Sequence, residues 1–284
     1  MYCDAHVHIV GPIEHYPQVP TRAFLAGIAD LETLRGLGAA HGITRFVIVQ
    51  PSFYGGDNAL LLETLDRLGD DGRGVAVIDA AMPAERLAEL ARRGVRGLRL
   101  NLYSPLKDRE GAPLRIAFLS AAKVAQALGW HVEVIASLAM LVDNAAMIAR
   151  SAAPVVIDHY GVYGRSRPDS SGGRGLLDLM SLPHVWTKLS APYRVSDDPL
   201  ASRPDPAWLA AILERAADRC VWGSDWPHIA PHDTLVDPTQ TVPYRDIPYA
   251  RSVDDFVAAL GSDALASRVM RDNPARLYGF PRGG

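Results

Sequence analysis

Two histidines separated by one residue lie close to the start of the chain, at His6 and His8. Successive side chains of a β-strand point to opposite faces, so the two imidazoles would share one face of a strand whose other face is apolar. Imidazole is the commonest protein metal ligand and can transfer protons near neutral pH. The pair therefore indicates a polar site at the end of a strand, although a single His-x-His is also compatible with a satisfied core.

Other chemically active side chains end apolar runs further along the chain. His159 ends a run that begins at Val155, Asp225 ends a run that begins at Val221, and Arg99 lies between two leucines. A charged group taken out of water costs several kcal/mol unless it is paired, so we expect these groups to converge on one site. Taken singly, Asp225 could instead cap a helix or form a salt bridge, and His159 could be a core residue. The candidate site residues are His6, His8, Arg99, Asn101, His159, Tyr193, Arg194, Asp225 and His228.

Eight segments rich in valine and isoleucine would carry these side chains, and amphipathic segments separate them. Near-continuous apolar strands that alternate with helices are typical of parallel sheets covered by helices. Eight such units predict an α/β fold, a (β/α)8 TIM barrel that forms a single domain over residues 1–284. A doubly wound open sheet is the alternative, but no Gly-x-Gly-x-x-Gly follows a predicted strand. The predicted strands lie near residues 2–9, 45–50, 74–80, 95–102, 130–136, 154–159, 185–190 and 220–225.

Helix start and stop signals, such as an aspartate before a helix and a glycine after it, delimit the helices between these strands. Active sites of TIM barrels lie at the C-terminal ends of the strands. Two irregular stretches would lie there, a glycine-rich one at 160–175 that is predicted to form a mobile lid and a proline-rich one at 229–249. Helices are predicted at Leu31–His41, Asp57–Leu68, Pro83–Arg93, Arg115–Leu128, Leu138–Arg150, Leu176–Leu182 and Pro206–Arg219.

The composition is that of an ordinary globular protein, with 48% hydrophobic and 21% charged residues. A net charge of -3 gives no electrostatic reason to expect nucleic acid or a membrane surface as a partner, and no apolar run is long enough to span a bilayer. Neither Cys3 nor Cys220 lies in a paired motif, so we expect reduced thiols in the cytoplasm. The partner is expected to be a small-molecule substrate, and a homo-oligomer is compatible with the sequence.

Five segments of the chain resemble the amidohydrolase superfamily. Within it, they resemble the branch related to 2-pyrone-4,6-dicarboxylate lactonase, which includes sugar-acid lactonases and a sulfomuconolactone hydrolase. The likeness covers nearly the whole chain in order, and the sequence Trp-Gly-Ser-Asp-Trp-Pro-His at residues 222–228 is its most specific segment. The other segments are Asp4–His8, Gly97–Asn101, Ile157–His159 and Asn273–Phe280.

The resemblance implies a barrel hydrolase that opens the ester of a small lactone. Asp225 would be the general base that takes a proton from the attacking water and later returns it to the leaving alcohol oxygen. His6, His8 and His159 would polarise the carbonyl group or hold the water. These roles agree with what acyl transfer to water requires, namely a base and a group that stabilises the oxyanion.

The resemblance also implies how the substrate is held. Arg99 and Arg194 would grip a substrate carboxylate through forked hydrogen bonds. Asn101, Tyr193 and His228 would supply further substrate contacts.

The chain departs from the pyrone-dicarboxylate enzyme at three places. Pro105 and Val162 stand where that enzyme has further arginines, and Phe24 stands where a tyrosine is expected. Fewer cationic side chains favour a lactone with one acidic group over a dicarboxylate. Arg165 and Arg167, in the predicted lid, would partly compensate.

Binuclear metal centres of the superfamily use a Lys or Glu after the fourth strand and a His after the fifth. Here the fourth strand offers Arg99, which cannot ligate, and His131 lies at the wrong end of the fifth, so a binuclear centre is not expected. The sequence is therefore compatible with no required cofactor or with one divalent ion such as Zn²⁺. The ligands of that ion would be His6, His8, His159 and Asp225.

Two other functions remain compatible with the sequence. A metal-dependent decarboxylase or carbon–carbon hydrolase of an aromatic-degradation pathway would need a bound ion. A non-catalytic barrel would not need the charged side chains at the strand ends.

Overall fold

The computed structural model describes residues 1–79, 81–103, 114–229, 237 and 239–281. In these ranges eight parallel strands form one sheet, each paired with the next barrel strand along the chain. The sheet closes where the His8 amide donates to the Trp226 carbonyl and the Asp225 amide donates to the His6 carbonyl, both at 2.9 Å. The predicted (β/α)8 barrel is confirmed. Its strands are β1 Tyr2–Val7, β3 Ile43–Val49, β4 Gly72–Ala76, β5 Val95–Asn101, β6 His131–Ile135, β7 Val155–Ile157, β8 Val185–Ser190 and β9 Cys220–Gly223.

Helices connect the barrel strands, and two short parallel strands, β2 Leu25–Ala26 and β10 Thr241–Val242, pair with each other outside the barrel. Side-chain caps fix several helix starts; Asp30, for example, accepts the Thr33 amide at 2.9 Å. No helix in the described part of the chain is long and apolar enough to cross a membrane. The helices are α1 Leu31–Ala39, α2 Ala59–Leu68, α3 Ala84–Arg92, α4 Leu114–Leu128, α5 Leu138–Asp143, α6 Ala145–Ile148, α7 Ser171–Met180, α8 Pro206–Ala216, α9 Tyr249–Leu260, α10 Asp263–Ser267 and α11 Asn273–Tyr278.

Some predicted boundaries are wrong. The strand predicted to end at residue 80 ends at Ala76, and the strand predicted to end at residue 159 ends at Ile157. His159 lies instead in a 3-10 turn with a φ of 49°. The helix predicted at 138–150 is divided at Asn144.

The prediction that the whole of residues 160–175 forms a mobile lid is also wrong. Tyr160 and Tyr163 are buried, and α7 begins at Ser171. Ser170 caps this helix by accepting the Gly173 amide at 3.0 Å. Residues 230–236 and 238 of the second irregular stretch lie outside the described residues, and its described part contains β10.

The seam between β1 and β9 depends on a close approach of two backbones. A Cβ atom added to Gly223 would lie 2.6 Å from the Cβ atom of His6 and 2.8 Å from its nitrogen. Asp4 joins the same two strands, since its buried Oδ1 accepts the amides of Ser224 at 2.9 Å and His6 at 3.2 Å. The Tyr249 hydroxyl donates to Oδ2 of Asp4 at 3.0 Å. The seam therefore fixes the first histidine against the segment that carries Asp225.

We expect Gly223→Ala to lower the free energy of unfolding by about 1–3 kcal/mol, because the added methyl group overpacks the seam. Urea denaturation followed by tryptophan fluorescence measures this change. Gly36→Ala is the matched control, since Gly36 is exposed in α1 and an added Cβ meets no atom within 4 Å. That control should be neutral or stabilising by up to about 1 kcal/mol. Equal losses in the two variants would contradict the account.

Candidate active site

Three imidazoles and one carboxylate meet at the C-terminal ends of the barrel strands. Oδ1 of Asp225 lies 3.3 Å from Nε2 of His8, 3.4 Å from Nε2 of His6 and 4.0 Å from Nε2 of His159. All four side chains are buried. The structure thus brings together residues that are separated by more than two hundred positions in the sequence.

An unusual backbone conformation presents Asp225 to the histidines. Its φ is 63°, a left-handed value that is uncommon for residues other than glycine and that persists mainly at functional sites. The hydrogen bond from its amide to His6 holds this turn, and the His228 amide donates to the Asp225 carbonyl at 2.8 Å.

The second carboxylate oxygen of Asp225 is held by the 3-10 turn after β8, which spans Pro192–Arg194. The Tyr193 hydroxyl donates to Oδ2 at 2.5 Å, and Arg194 donates to it through Nε at 3.0 Å and Nη2 at 2.9 Å. Burial alone would raise the pKa of Asp225, but the Arg194 guanidinium and the neighbouring imidazoles hold it well below its ordinary value. Asp225 is therefore ionised at neutral pH, with Oδ1 left facing the histidines.

The histidine rings are oriented by contacts on their Nδ1 atoms. Nδ1 of His8 lies 2.7 Å from the Val49 carbonyl oxygen, which can only accept, so this nitrogen carries a proton. Nδ1 of His159 lies 2.8 Å from the Ser190 hydroxyl. Burial lowers the pKa of His159 to about 4. Burial and the Lys188 charge lower the pKa of His6 well below its ordinary value, so both rings are uncharged at neutral pH.

A cavity beside His8 contains three of the predicted substrate-binding residues, Arg99, Asn101 and Arg194. Arg99 donates from Nη1 to the Gln50 carbonyl at 2.6 Å, while its buried Nε has no hydrogen-bond partner in the described structure. The apolar part of the lining consists of Phe24, Pro51, Phe53, Ile135 and Ile229.

The two remaining predicted residues lie next to each other beside Asp225. The ring centroids of Tyr193 and His228 are 6.1 Å apart, and burial lowers the pKa of His228 to about 4. Neither residue lines the cavity that contains Arg99.

The arginines of the predicted lid do not extend the cationic part of this cavity. Arg165 pairs with Asp197 at 3.0 Å and Arg167 pairs with Asp169 at 3.1 Å, and all four side chains are exposed. Both arginines line a separate outer groove of about 810 Å³. The expectation that Arg165 and Arg167 partly replace the missing arginines is therefore wrong. Pro105, which stands at one of those positions, lies outside the described residues.

A buried ionic layer beneath the imidazoles was not predicted as part of the site. Lys188, on β8, lies 2.5 Å from Oε2 of Glu133, 3.1 Å from Nδ1 of His6 and 3.7 Å from Oδ1 of Asp158. All four side chains are fully buried. The available signal was a lysine inside the otherwise uncharged strand segment 185–190.

The spacing of the site residues would allow one divalent ion. His6, His8 and Asp225 place possible ligand atoms within 4.8 Å of one another, and so do His6, Asp158 and His159. Three or four nitrogen and oxygen ligands suffice for a catalytic zinc ion. The distances therefore permit a metal ion, and whether these residues can ligate it depends on their hydrogen bonds.

Comparison with known proteins gives relatives that act on lactones. A 4-sulfomuconolactone hydrolase of Rhizobium radiobacter is 30% identical over 283 residues, covering 97% of this chain and 89% of that protein. A 2-pyrone-4,6-dicarboxylate hydrolase of Comamonas testosteroni is 29% identical over 291 residues, with coverages of 97% and 89%.

Solved structures share the fold of this chain. A zinc-bound amidohydrolase of Burkholderia multivorans superimposes with a TM-score of 0.71 at 25% identity, covering 99% of this chain and 100% of that one. A manganese-bound 5-carboxyvanillate decarboxylase of Novosphingobium aromaticivorans, at 12% identity and a TM-score of 0.58 over 98% of this chain and 96% of that one, is similar in fold alone. The family model described as amidohydrolase matches residues 3–280. The chain therefore belongs to the amidohydrolase family.

Proposed function

We propose that this protein hydrolyses the ester bond of a small lactone that carries a carboxylate. The observation that carries the proposal is the meeting of the Asp225 carboxylate with three imidazoles beside a cavity that contains Arg99. Such a set supplies a base, hydrogen-bonding groups for the reacting atoms and an orienting cation. Relatives named as lactone hydrolases support this function, whereas the decarboxylase alternative has only a likeness of fold.

The reaction begins with a water molecule near Oδ1 of Asp225. This oxygen and Nε2 of His6 and of His159 are buried, face one another and have no hydrogen-bond partner in the described part of the chain. Asp225 takes a proton from the water as the water oxygen bonds to the lactone carbonyl carbon. Nε2 of His8 is available to accept the second water proton, since Nδ1 donates to the Val49 carbonyl oxygen.

Collapse of the tetrahedral intermediate then opens the ring. The bond between the carbonyl carbon and the ring oxygen breaks, and the proton held by Asp225 passes to the departing alkoxide. The products of the two steps are a carboxylate and an alcohol on one chain. Asp225 is the proton acceptor in this scheme, and no step passes through a metal ion.

The side chains that line this cavity match the groups of an acidic lactone with an apolar ring. Phe24 and Phe53 would pack against the ring, and the Arg99 guanidinium would bind the carboxylate. Arg194 is already paired with Asp225, so Arg99 is the arginine that would bind a substrate carboxylate. One such arginine favours a substrate with one acidic group over a substrate with two.

The proposal also includes the cellular location of the enzyme and its domain boundaries. Cys3 and Cys220 are buried free thiols, which supports a reducing cytoplasmic environment. We treat residues 1–284 as one catalytic domain.

Asp225→Asn should lower kcat by about 10²- to 10⁴-fold, because an amide cannot take a proton from water. The rate is measured with a panel of muconolactones and sugar-acid lactones, and thermal unfolding checks that the variant is folded. Asp246→Asn, at an exposed position, serves as the matched control and should keep the parental rate. A folded Asp225→Asn enzyme with parental kcat would disprove the role of this base.

Arg99→Met should raise KM for a carboxylated lactone by about 10- to 100-fold, because a hydrogen bond to a charged group is worth about 1.5–3 kcal/mol. KM for a neutral lactone with the same ring should change little. Arg92→Met, an exposed change in α3, is the control. Equal effects on the charged and neutral substrates would remove Arg99 from carboxylate binding.

His159 should not contribute a limb to the pH profile at the ordinary histidine pKa. Burial lowers the pKa of His159 to about 4, so this ring stays neutral above that pH, and Asp225 stays ionised. We expect protonation of His159 to lower kcat/KM only near about pH 4. Initial rates across the acidic and neutral range measure the profile, and a limb near about pH 6.5 that is absent from His159→Gln would contradict the assignment.

A further inference from the structure

Lys188 lies in the barrel interior, beneath the histidines, and its surroundings define its hydrogen bonds. Its ammonium group contacts one oxygen of Glu133 at 2.5 Å and lies 3.7 Å from Oδ1 of Asp158. A buried ammonium group beside two carboxylates is paired. Its remaining close neighbour is Nδ1 of His6, at 3.1 Å.

The direction of that last hydrogen bond follows from the chemistry of the lysine. An ammonium group has three protons and no lone pair, so it can only donate. Nδ1 of His6 must then accept, and the single proton of the neutral ring lies on Nε2. We propose that Lys188 is a positioning residue that holds His6 as a hydrogen-bond donor toward the reaction centre and thereby prevents it from acting as a metal ligand.

The two histidines of the His-x-His pair therefore have opposite roles. Nδ1 of His8 donates to the Val49 carbonyl oxygen at 2.7 Å, which in the neutral ring leaves the lone pair on Nε2. That arrangement is typical of a metal-ligating histidine, whose second nitrogen donates to a carbonyl or carboxylate oxygen. In His6 the neighbour of Nδ1 is the Lys188 ammonium group instead of a carbonyl oxygen. Its Nε2 therefore carries a proton, whereas a metal ion would need a lone pair on that nitrogen. The donor set fits a divalent ion by distance but not by hydrogen bonding.

The proton on Nε2 of His6 has a place in the lactonase reaction. It points toward Oδ1 of Asp225, 3.4 Å away, where the water and the lactone carbonyl would meet. A preorganised N–H at that point stabilises negative charge that develops on the carbonyl oxygen. This catalytic part rests on the proposed function, whereas the tautomer of His6 and its effect on metal binding do not.

Nitrogen-15 NMR of protein labelled at histidine tests the tautomer directly. The His6 signals are assigned as those missing from His6→Asn. We expect wild-type His6 to carry its proton on Nε2, and the double variant Lys188→Met with Glu133→Gln to move it to Nδ1, where Oδ1 of Asp158 lies 3.5 Å away. Replacing Glu133 together with Lys188 removes one of the two buried carboxylates that the loss of the lysine alone would leave without this cation. A proton on Nδ1 in the wild type would overturn the proposal, and that spectrum decides even if the variant fails to fold.

Zinc affinity and kinetics provide the second test. Competition with a chromophoric chelator should show the double variant binding zinc about 10- to 100-fold more tightly than the wild type, the usual effect of an outer-shell partner. With a chelator present, kcat should fall by about 10- to 100-fold while KM stays within about twofold. Lys123→Met, at an exposed position of α4, should change neither quantity. Equal zinc affinity in wild type and double variant would overturn the proposal.

The two proposals fail in different ways. If the wild type opens no lactone in the panel, the lactonase proposal fails, and the NMR and zinc measurements still decide the role of Lys188. If lactones are opened but His6 carries its proton on Nδ1, the lactonase stands and the positioning role of Lys188 is lost.

Discussion

The amide of Asp225 donates to the carbonyl oxygen of His6 across the seam that closes the barrel. This bond joins the two ends of the sheet and, at the same time, the two halves of the candidate site. Asp4 reinforces it by accepting amides from both strands, and Gly223 allows their backbones to approach. The position of the carboxylate relative to the histidines is therefore a property of barrel closure and not of any single loop.

Charge inside the barrel is arranged in two layers. In the upper layer Asp225 is paired with Arg194, which keeps it ionised although it is fully buried. In the lower layer Lys188 is paired with Glu133. Between the layers lies His6, with one ring nitrogen toward each. These two ion pairs offset charge in an interior that would otherwise exclude ions.

Much of the fold and the upper layer could be predicted from the sequence, because strand ends in a parallel barrel meet at one mouth. The spacing of His6 and His8, together with the positions of His159 and Asp225 at the ends of apolar segments, predicts the residues of the upper layer. The lower layer could not be predicted in the same way. Lys188 and Glu133 meet only through the register of three paired strands, β6 to β8. Glu133 pairs with Val156 and Val156 pairs with Trp186, so the lysine lies two residues further along β8, and no local pattern encodes that register.

The errors in the predicted loops have a similar origin. The glycine-rich composition of residues 160–175 predicts mobility, yet an added Cβ at Gly173 would lie 2.0 Å from the Arg167 carbonyl oxygen. Glycine is needed there for contact and not for freedom of the chain. Composition does not distinguish these two uses, and only the packed structure does.

The seam also links barrel closure to the assembly of the site. His6 and His8 precede the other site residues in the chain, and the residue that would accept the proton follows the last barrel strand. A barrel with only its first seven strands paired would present imidazoles without their carboxylate. Since the bond that seats Asp225 is also the one that completes the ring of strands, an open barrel would be a barrel without its base.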